Sequence, residues 1–206
     1  MQKKAVRIVP LLLFGFFVLV PCRTSLAEAP KERVHAMLEK VMAIQTDPSL
    51  QDEVGRDRRR AAIQEVILGN FNFEAMAREA LGEQWDKLDD PARSEFESIF
   101  KDLFGDSYTR LVLNFLKREK ILYTREDIDG KTALVETTIY RTNEEIPVQY
   151  SLSSVKGGWL VRDVKIDGVS IVENYRRSFA RLIQLQSYES LLQKMRLQRR
   201  AIESKS

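Results

Sequence analysis

The chain has 206 residues, of which 33 are Lys or Arg and 30 are Asp or Glu, and 44% of the residues are hydrophobic. This length and composition suit one domain with a substantial core. The chain contains one histidine and one cysteine. A zinc site or catalytic triad built on histidine would have to use His35, which we interpret as a partly exposed residue of the first helix.

The first 27 residues have the pattern of a secretory signal peptide. Lys3, Lys4 and Arg7 form a positive segment, residues 11–20 form an apolar run, and residues 25–27 give the small-x-small pattern of a cleavage site. The apolar run is half as long as the roughly twenty residues that a membrane-spanning helix needs. We therefore expect cleavage and export to the periplasm rather than anchoring.

Cleavage after Ala27 would leave residues 28–206 as a single domain, with residues 187–206 as a C-terminal helix and basic tail. The signal segment contains the only cysteine, so the mature chain has no disulfide. It also contains four basic residues and no acidic ones, which leaves a formal charge of −1 for the mature chain. A nearly neutral chain has no general electrostatic attraction for nucleic acid, so we expect no nucleic-acid partner.

Apolar residues at helical spacing predict four helices before the middle of the chain. The first covers residues 31–46, and Asp47-Pro48 predicts the N-cap and first position of the second. The arginine-rich residues 56–60 are interpreted as a solvated face of that second helix. A third helix begins after Asn72 and ends at Gly82.

The strongest helical pattern begins at Asp90-Pro91, where an aspartate cap precedes a proline. Apolar residues then recur every three or four positions and form a broad stripe. The members of this stripe are Phe96, Ile99, Phe100, Leu103, Phe104, Tyr108, Leu111, Val112 and Phe115.

Further along the chain the period changes to two, which is typical of strands. The β-rich runs cover residues 121–126, 132–141, 146–154 and 159–166. A capping box formed by Ser170 and Glu173 then opens another helix, and a last amphipathic stretch follows. The predicted fold is α+β, with a helical layer packed on a curved antiparallel sheet of about four strands.

The sequence lacks HExxH and glycine-rich phosphate-binding motifs, and we expect no catalytic residue, metal or cofactor. If the chain were an enzyme, Asp163 would be its best candidate for an acid or base. The abundant phenylalanines are compatible with either a packed core or an apolar ligand cavity, because both need inward apolar faces. Periodicity does not separate these two interpretations.

Three ordered segments resemble the MlaC-type family of periplasmic phospholipid-binding proteins, also described as toluene-tolerance auxiliary proteins. Residues 71–85, FNFEAMAREALGEQW, resemble the family segment F-D-F-x-x-M-A-x-x-x-L-G-x-x-W. Residues 93–108 are similar to the helix that follows it, and residues 159–176 resemble the ending W-x-V-x-D-V…G-V-S-L-V-x-N-Y-R. In this chain, Asn72 replaces the usual aspartate and Ala92 the usual glutamine.

The resemblance implies a pocket between helices and sheet that takes phospholipid acyl chains, the lipid being a ligand and no cofactor being required. We predict that inward residues of the matched segments line this pocket. They are Phe73, Met76, Phe100, Phe104, Tyr108, Val135, Ile139, Val148, Tyr150, Val164, Val172, Tyr175 and Phe179. Tyr175 and Arg176 are the candidates for contact with the headgroup.

The resemblance also implies a transport role and partners. The family carries phospholipid between an outer-membrane lipoprotein complex and an inner-membrane ABC transporter with MCE-domain subunits, which maintains outer-membrane lipid asymmetry. Two alternatives stay open at this point. One is a hopanoid-associated lipid carrier of the same family, and the other is a periplasmic chaperone-like binding protein.

Overall fold

The structure, a computed structural model, describes residues 28–204, so the predicted signal segment lies outside the described residues. No helix in this part of the chain is both long enough and apolar enough to cross a membrane. The α-helices are α1 (Pro30–Thr46), α2 (Glu53–Asn70), α3 (Phe73–Leu81), α4 (Asp90–Phe115), α5 (Ile171–Leu185) and α6 (Tyr188–Glu203). The strands are β1 (Lys120–Asp129), β2 (Thr132–Arg141), β3 (Glu144–Val155), β4 (Gly158–Ile166) and β5 (Val169–Ser170).

Polar side chains cap the starts of helices α2 to α6 by accepting hydrogen bonds from free backbone N–H groups. Asn72 caps α3 at 3.1 Å from the Ala75 nitrogen, as its position in the sequence predicts. The predicted start of the second helix is wrong. Asp47 caps a short 3-10 turn, Pro48–Leu50, and α2 begins five residues later than Pro48 with Asp52 as its cap.

The start of α4 also differs by one residue from the prediction. Asp89, rather than Asp90, is the N-cap, and its carboxylate accepts a hydrogen bond of 2.9 Å from the Ala92 nitrogen. Pro91 consequently occupies the second helical position, where its missing N–H also costs nothing.

The strands follow one another in the order β1-β2-β3-β4-β5, and every neighbouring pair is antiparallel. Glycines with positive φ lie in two of the tight turns, Gly130 between β1 and β2 and Gly157 between β3 and β4. The predicted sheet of about four strands is confirmed, and the two-residue β5 adds a short fifth strand. A bulge at Thr124 interrupts the regular pairing of β1 with β2.

The helices cover one face of this sheet, and the buried residues alternate along the strands accordingly. Val135 on β2 pairs with Tyr150 on β3, and Tyr150 pairs with Val164 on β4, and all three side chains are buried. Helix α1 packs on β1 and β2, α5 packs on β4, and α6 packs on α4. The predicted α+β architecture is therefore confirmed.

The C-terminal region is more regular than the predicted helix and basic tail. Helix α6 continues to Glu203, and Leu191, Leu192 and Met195 form its buried face. Most of the basic residues predicted to lie in a tail therefore lie on a helix.

Candidate functional site

A row of aromatic rings runs along α4 at every fourth position. The ring centroids of Phe96 and Phe100 are 6.2 Å apart, those of Phe100 and Phe104 are 6.0 Å apart, and those of Phe104 and Tyr108 are 5.3 Å apart. Residues four apart lie on the same face of a helix, so the sequence spacing produces this row directly.

Rings from two other parts of the chain pack against this row. Tyr175 and Phe179 of α5 contact Phe100 with centroid distances of 5.3 and 6.3 Å. Phe71 and Phe73, at the start of α3, contact Phe104 at 5.3 and 5.8 Å. We call the whole group the aromatic cluster; its members are Phe71, Phe73, Phe96, Phe100, Phe104, Tyr108, Tyr175 and Phe179.

The sheet contributes aliphatic side chains to the same interior. Val148 and Leu152 on β3 and Val161 on β4 are buried, with at most 3% of their surface exposed. They belong to one continuous core with the aromatic cluster. The helical layer and the sheet therefore enclose an interior that is almost wholly apolar.

Buried hydroxyl groups are among the polar exceptions in this interior. Burial raises the pKa of Tyr150 well above its usual value, and the hydrogen bond with Thr137 lowers it in part. Burial also raises the pKa of Tyr108, and the nearby Asp163 carboxylate adds to that effect. Burial likewise raises the pKa of Tyr175, which hydrogen-bonds to Ser107. These tyrosines are neutral at physiological pH and add no charge to the interior.

Asp163, the candidate acid or base of the enzyme alternative, lies beside the start of α5. Its carboxylate accepts a hydrogen bond of 3.1 Å from the Val172 nitrogen, while Ser170 accepts one of 3.0 Å from the Glu173 nitrogen. The predicted capping role of Ser170 is confirmed. Asp163 thus helps to fix the helix that carries Tyr175, which is a structural role at the first turn.

The thirteen predicted pocket residues all lie in the interior between helices and sheet or pack directly against it. Ten of them are buried, and Tyr108, Ile139 and Tyr175 are half-buried. A cleft of about 620 Å³ beside Gln45 and another of about 570 Å³ beside Asn72 open on the protein surface, and neither is lined by any of the thirteen. In this structure six of the seven aromatic members of the set pack against one another, and the seventh, Tyr150, is buried on β3.

The two candidate headgroup residues point in different directions. The Tyr175 ring lies in the aromatic cluster, whereas Arg176 is exposed and lies 3.9 Å from the Glu173 carboxylate. The Arg176 side chain also packs over Gly82 at the C-terminal end of α3. A Cβ added to Gly82 would lie 3.4 Å from the Arg176 Nε. The structure therefore does not bring these two side chains together.

A buried ion cluster on α4 was not predicted from the sequence. The Asp106 side chain is fully buried, forms an ion pair with Arg60 of α2, and lies 2.6 Å from Arg110 through its second oxygen. The interpretation of residues 56–60 as a solvated face is therefore wrong at Arg60. It is also wrong at Arg59, which donates a 2.9 Å hydrogen bond to the Leu50 carbonyl.

Gln45, which was also not predicted from the sequence, hydrogen-bonds to the C-terminal end of α4. The Gln45 amide donates to the carbonyls of Val112, Leu113 and Leu116 at 3.2, 3.3 and 2.7 Å. These carbonyls lie at the end of the helix, where backbone acceptors run out of helical N–H partners. The Val112 carbonyl also accepts a hydrogen bond of 3.0 Å from the Leu116 nitrogen. Asp106 and Gln45 thus join α4 to α2 and α1 through directional polar contacts.

Asn72, which replaces the usual aspartate, joins the start of α3 to the sheet. Its side-chain oxygen caps α3, and its amide nitrogen lies 3.0 Å from the Ser153 hydroxyl of β3. Its backbone nitrogen donates to the Val161 carbonyl at 2.8 Å. An aspartate would cap the helix equally well and could accept a hydrogen bond from the Ser153 hydroxyl, so these contacts do not explain the replacement.

The fold and the site together define an α+β domain whose apolar interior lies between a helical layer and one face of an antiparallel meander. Among residues 28–204, no group of three or more His, Cys, Asp or Glu side chains is arranged to hold a metal ion.

The family model described as MlaC protein matches residues 35–197. The chain therefore belongs to the MlaC family, as the resemblance of its three segments predicts.

Two curated relatives are similar to this chain. Toluene tolerance protein ttg2D of Pseudomonas putida is 30% identical over 90 residues, which cover 39% of this chain and less than half, 42%, of that protein. The intermembrane phospholipid transport system binding protein MlaC of Haemophilus influenzae is 22% identical over 202 residues. That match covers 94% of this chain and 92% of the relative.

A solved structure has the same fold. The phospholipid-binding protein from Ralstonia solanacearum, determined in complex with a phospholipid, aligns with a TM-score of 0.72 at 20% sequence identity. The alignment covers 85% of this chain and 99% of the Ralstonia chain.

Proposed function

We propose that this protein binds phospholipid in the interior between its helices and its sheet and carries the lipid through the periplasm. The observation that supports this most directly is the aromatic cluster, whose α4 row faces α5 above the buried aliphatic residues of β3 and β4. We propose the thirteen predicted residues as the lining of the acyl-chain site. A binding role of this kind requires no catalytic residue.

The contacts within the aromatic cluster suit exchange with a lipid chain. Ring–ring contacts of this kind contribute about 0.5–1.5 kcal/mol each beyond burial and are not covalently or ionically fixed. An acyl chain that separates α5 from the α4 row would replace ring contacts by other apolar contacts, and would break the hydrogen bond between Tyr175 and Ser107. No buried charge would lose its partner, because Asp106 and its arginines lie between α4 and α2.

The energetics explain why a carrier is needed and what it must do. A lipid with two chains has about thirty methylenes, each worth about 0.8 kcal/mol on leaving water. The sum of about 24 kcal/mol exceeds the ceiling of about 20 kcal/mol for non-covalent affinity. The protein need not reach this value, since it exchanges lipid with another apolar phase and has only to compete with the bilayer.

The membership of the MlaC family and the name of the Haemophilus relative support a place in transport between membranes. We propose periplasmic export by cleavage after residue 27. We further propose an inner-membrane MCE-domain ABC transporter and an outer-membrane lipoprotein complex as the partners that deliver and receive lipid.

Native mass spectrometry of the mature protein, purified from periplasm without detergent, tests this proposal. We expect an added mass that matches one phospholipid per chain, and organic extraction would identify the headgroup. A hopanoid-like mass would instead support the related hopanoid carrier, and copurifying peptide would support a chaperone. A folded protein without any bound lipid would contradict the proposed function.

Two matched substitutions on β3 locate the site. Val148→Trp places a bulky ring on the inner face of the sheet and should abolish or strongly reduce lipid occupancy. Gln149→Trp places the same ring on the outer face, one residue along the strand, and should leave occupancy unchanged. Circular dichroism checks that both variants fold. Equal occupancy in the two folded variants would exclude Val148 from the lining.

A further inference from the structure

Charge is distributed unevenly between the C-terminal helices and the rest of the domain. Residues 171–204, which form the α5–α6 hairpin, contain seven Lys or Arg and three Asp or Glu, a formal charge of +4. Residues 28–170 contain 21 basic and 27 acidic residues, a formal charge of −6. A hairpin with this charge attracts anionic surfaces that the rest of the domain repels.

Two of the basic residues of the hairpin form ion pairs with acidic residues of α4. Arg196 lies 2.5 Å from the Glu95 carboxylate on α4, and Arg199 lies 3.7 Å from Asp102 on the same helix. These pairs attach α6 to α4. They cannot serve an external partner without releasing that attachment.

Four other basic residues of the hairpin are exposed and have no ion-pair partner within residues 28–204. They are Arg177, Arg181, Lys194 and Arg200. Two of the three acidic residues of the hairpin are already paired, because Glu173 lies beside Arg176 and Glu203 beside Arg199. The third, Glu189, hydrogen-bonds to Ser187 in the first turn of α6 and leaves the four cations in excess.

Exposed leucines accompany these free charges on both helices. Leu185 is 69% exposed and follows Arg177 and Arg181 at four-residue spacing on the outer stripe of α5. Leu197 is 52% exposed and lies three residues from both Lys194 and Arg200 on the outer side of α6. Each helix thus presents a large apolar side chain between or beside cations.

We propose that the outer face of the α5–α6 hairpin docks on a bilayer surface that carries anionic phospholipid headgroups. Arginine and lysine would contact the headgroup phosphates, and the leucines would insert at the boundary with the acyl chains. Helix α5 carries Tyr175 and Phe179 of the aromatic cluster on its opposite side. Docking would therefore bring the interior of the domain to the membrane through one helix.

This inference goes beyond lipid binding in the interior and is tested separately from it. The mature protein is floated with vesicles of phosphatidylcholine alone and with vesicles that also contain phosphatidylglycerol. We expect partition onto the vesicles with phosphatidylglycerol, and weaker binding as salt is added. An absence of binding to these vesicles at low salt would overturn the proposal and would favour an acidic protein as the partner of this face.

Matched charge variants separate the hairpin from the net charge of the protein. Arg177→Gln with Arg181→Gln should weaken binding about thirty-fold, about five-fold for each charge removed near the surface. Lys131→Gln with Lys156→Gln removes the same charge from exposed turns of the sheet and should change binding less than about two-fold. Equal losses in the two double variants would overturn the assignment to the hairpin.

Leu185→Ser tests the apolar part of the surface and should weaken binding without changing the salt dependence. Native mass spectrometry of the arginine double variant should still find bound phospholipid. That result would show that docking fails while the interior site persists. Loss of bound lipid together with docking would contradict a separate surface.

Discussion

Helix α4 buries two faces of opposite chemistry. One face carries the row from Phe96 to Tyr108, which packs against rings of α5 and of the segment before α3. The other face carries the fully buried Asp106, whose carboxylate lies between the guanidinium groups of Arg60 and Arg110. Ring contacts tolerate many orientations, whereas a buried ion pair needs its partner at one distance and direction.

This difference indicates which contacts of α4 can change during binding and which cannot. Separating the rings breaks the hydrogen bond between Tyr175 and Ser107, and otherwise exchanges apolar contacts between rings for apolar contacts with acyl chains. Separating α4 from α2 would leave a buried carboxylate without its full set of partners. The glycine next to Asp106 supports the close packing of these helices, since a Cβ on Gly105 would lie 3.0 Å from a methyl group of Leu68. We therefore expect the helical layer to open between α4 and α5.

The largest expected effect is on the unfolding free energy, and it should distinguish two members of the same ring row. Phe96→Ala and Phe104→Ala each remove a buried ring and should lower the unfolding free energy of the lipid-free protein by about 3–5 kcal/mol. Phe104 belongs to the proposed lining, so bound lipid should fill its cavity and restore part of the loss. Phe96 is outside the lining, so bound lipid should not restore the stability that Phe96→Ala removes.

Denaturant unfolding of both variants, with and without bound lipid, measures the four unfolding free energies. If lipid stabilised the Phe96 and Phe104 variants to the same extent, the proposed boundary of the site within the ring row would be wrong.

An intermediate effect is expected on the ionic face. Arg60→Met leaves the buried Asp106 with Arg110 as its remaining partner and should lower the unfolding free energy by about 2 kcal/mol. Arg58→Met, on an exposed position of the same helix, should change it by less than about 0.5 kcal/mol. Lipid occupancy should stay the same in both variants. Reduced occupancy in the folded Arg60 variant would contradict the division of α4 into two independent faces.

The smallest expected effect concerns alkaline pH. Burial raises the pKa of Tyr123 to about 12, with nearby Glu39 adding to the shift. The unfolded chain therefore loses the tyrosine proton near pH 10, before the folded chain does, so stability falls as the pH rises from 10 to 12. Because Tyr123 is half-buried, solvent reduces its contribution to below about 2 kcal/mol.

Thermal unfolding between pH 8 and pH 12 measures this loss for the natural chain and for Tyr123→Phe. The variant should lose less stability over the upper part of this interval. Parallel curves for the two proteins would show that Tyr123 does not contribute. Tyr108 and Tyr150 retain their raised pKa values in both proteins and account for the loss that persists.

The two faces of α4 also differ in how far the sequence predicts them. The ring row follows from four-residue spacing within one segment, and the helix and the core position of its apolar stripe are confirmed from Phe96 to Tyr108. The predicted stripe is wrong at its last member, because Phe115 is 50% exposed. Asp106 lies three residues after the buried Leu103, at the edge of the apolar stripe. This position is the one feature of the sequence that indicates burial of Asp106. Its partner Arg60 lies 46 residues away in a run that resembles a solvated face.

Periodicity fails for the ion cluster because it describes one helix at a time, whereas a buried charge depends on what a second helix supplies. The same limit applies to Gln45, whose three acceptors lie at the end of another helix. It applies as well to the choice between a packed interior and a lipid site. Inward apolar residues produce the same pattern in both cases, so the sequence predicts the lining only through its resemblance to a family.

The order of the chain gives the ring row a consequence for folding. The strands form a meander of adjacent hairpins, whose pairing is local and should be fast. Phe96, by contrast, is covered by Phe179 and Tyr188, which come much later in the chain. An intermediate that lacks α5 and α6 would leave several rings of α4 open to solvent and prone to self-association. Docking of the last two helices is then the step on which the yield of soluble protein depends.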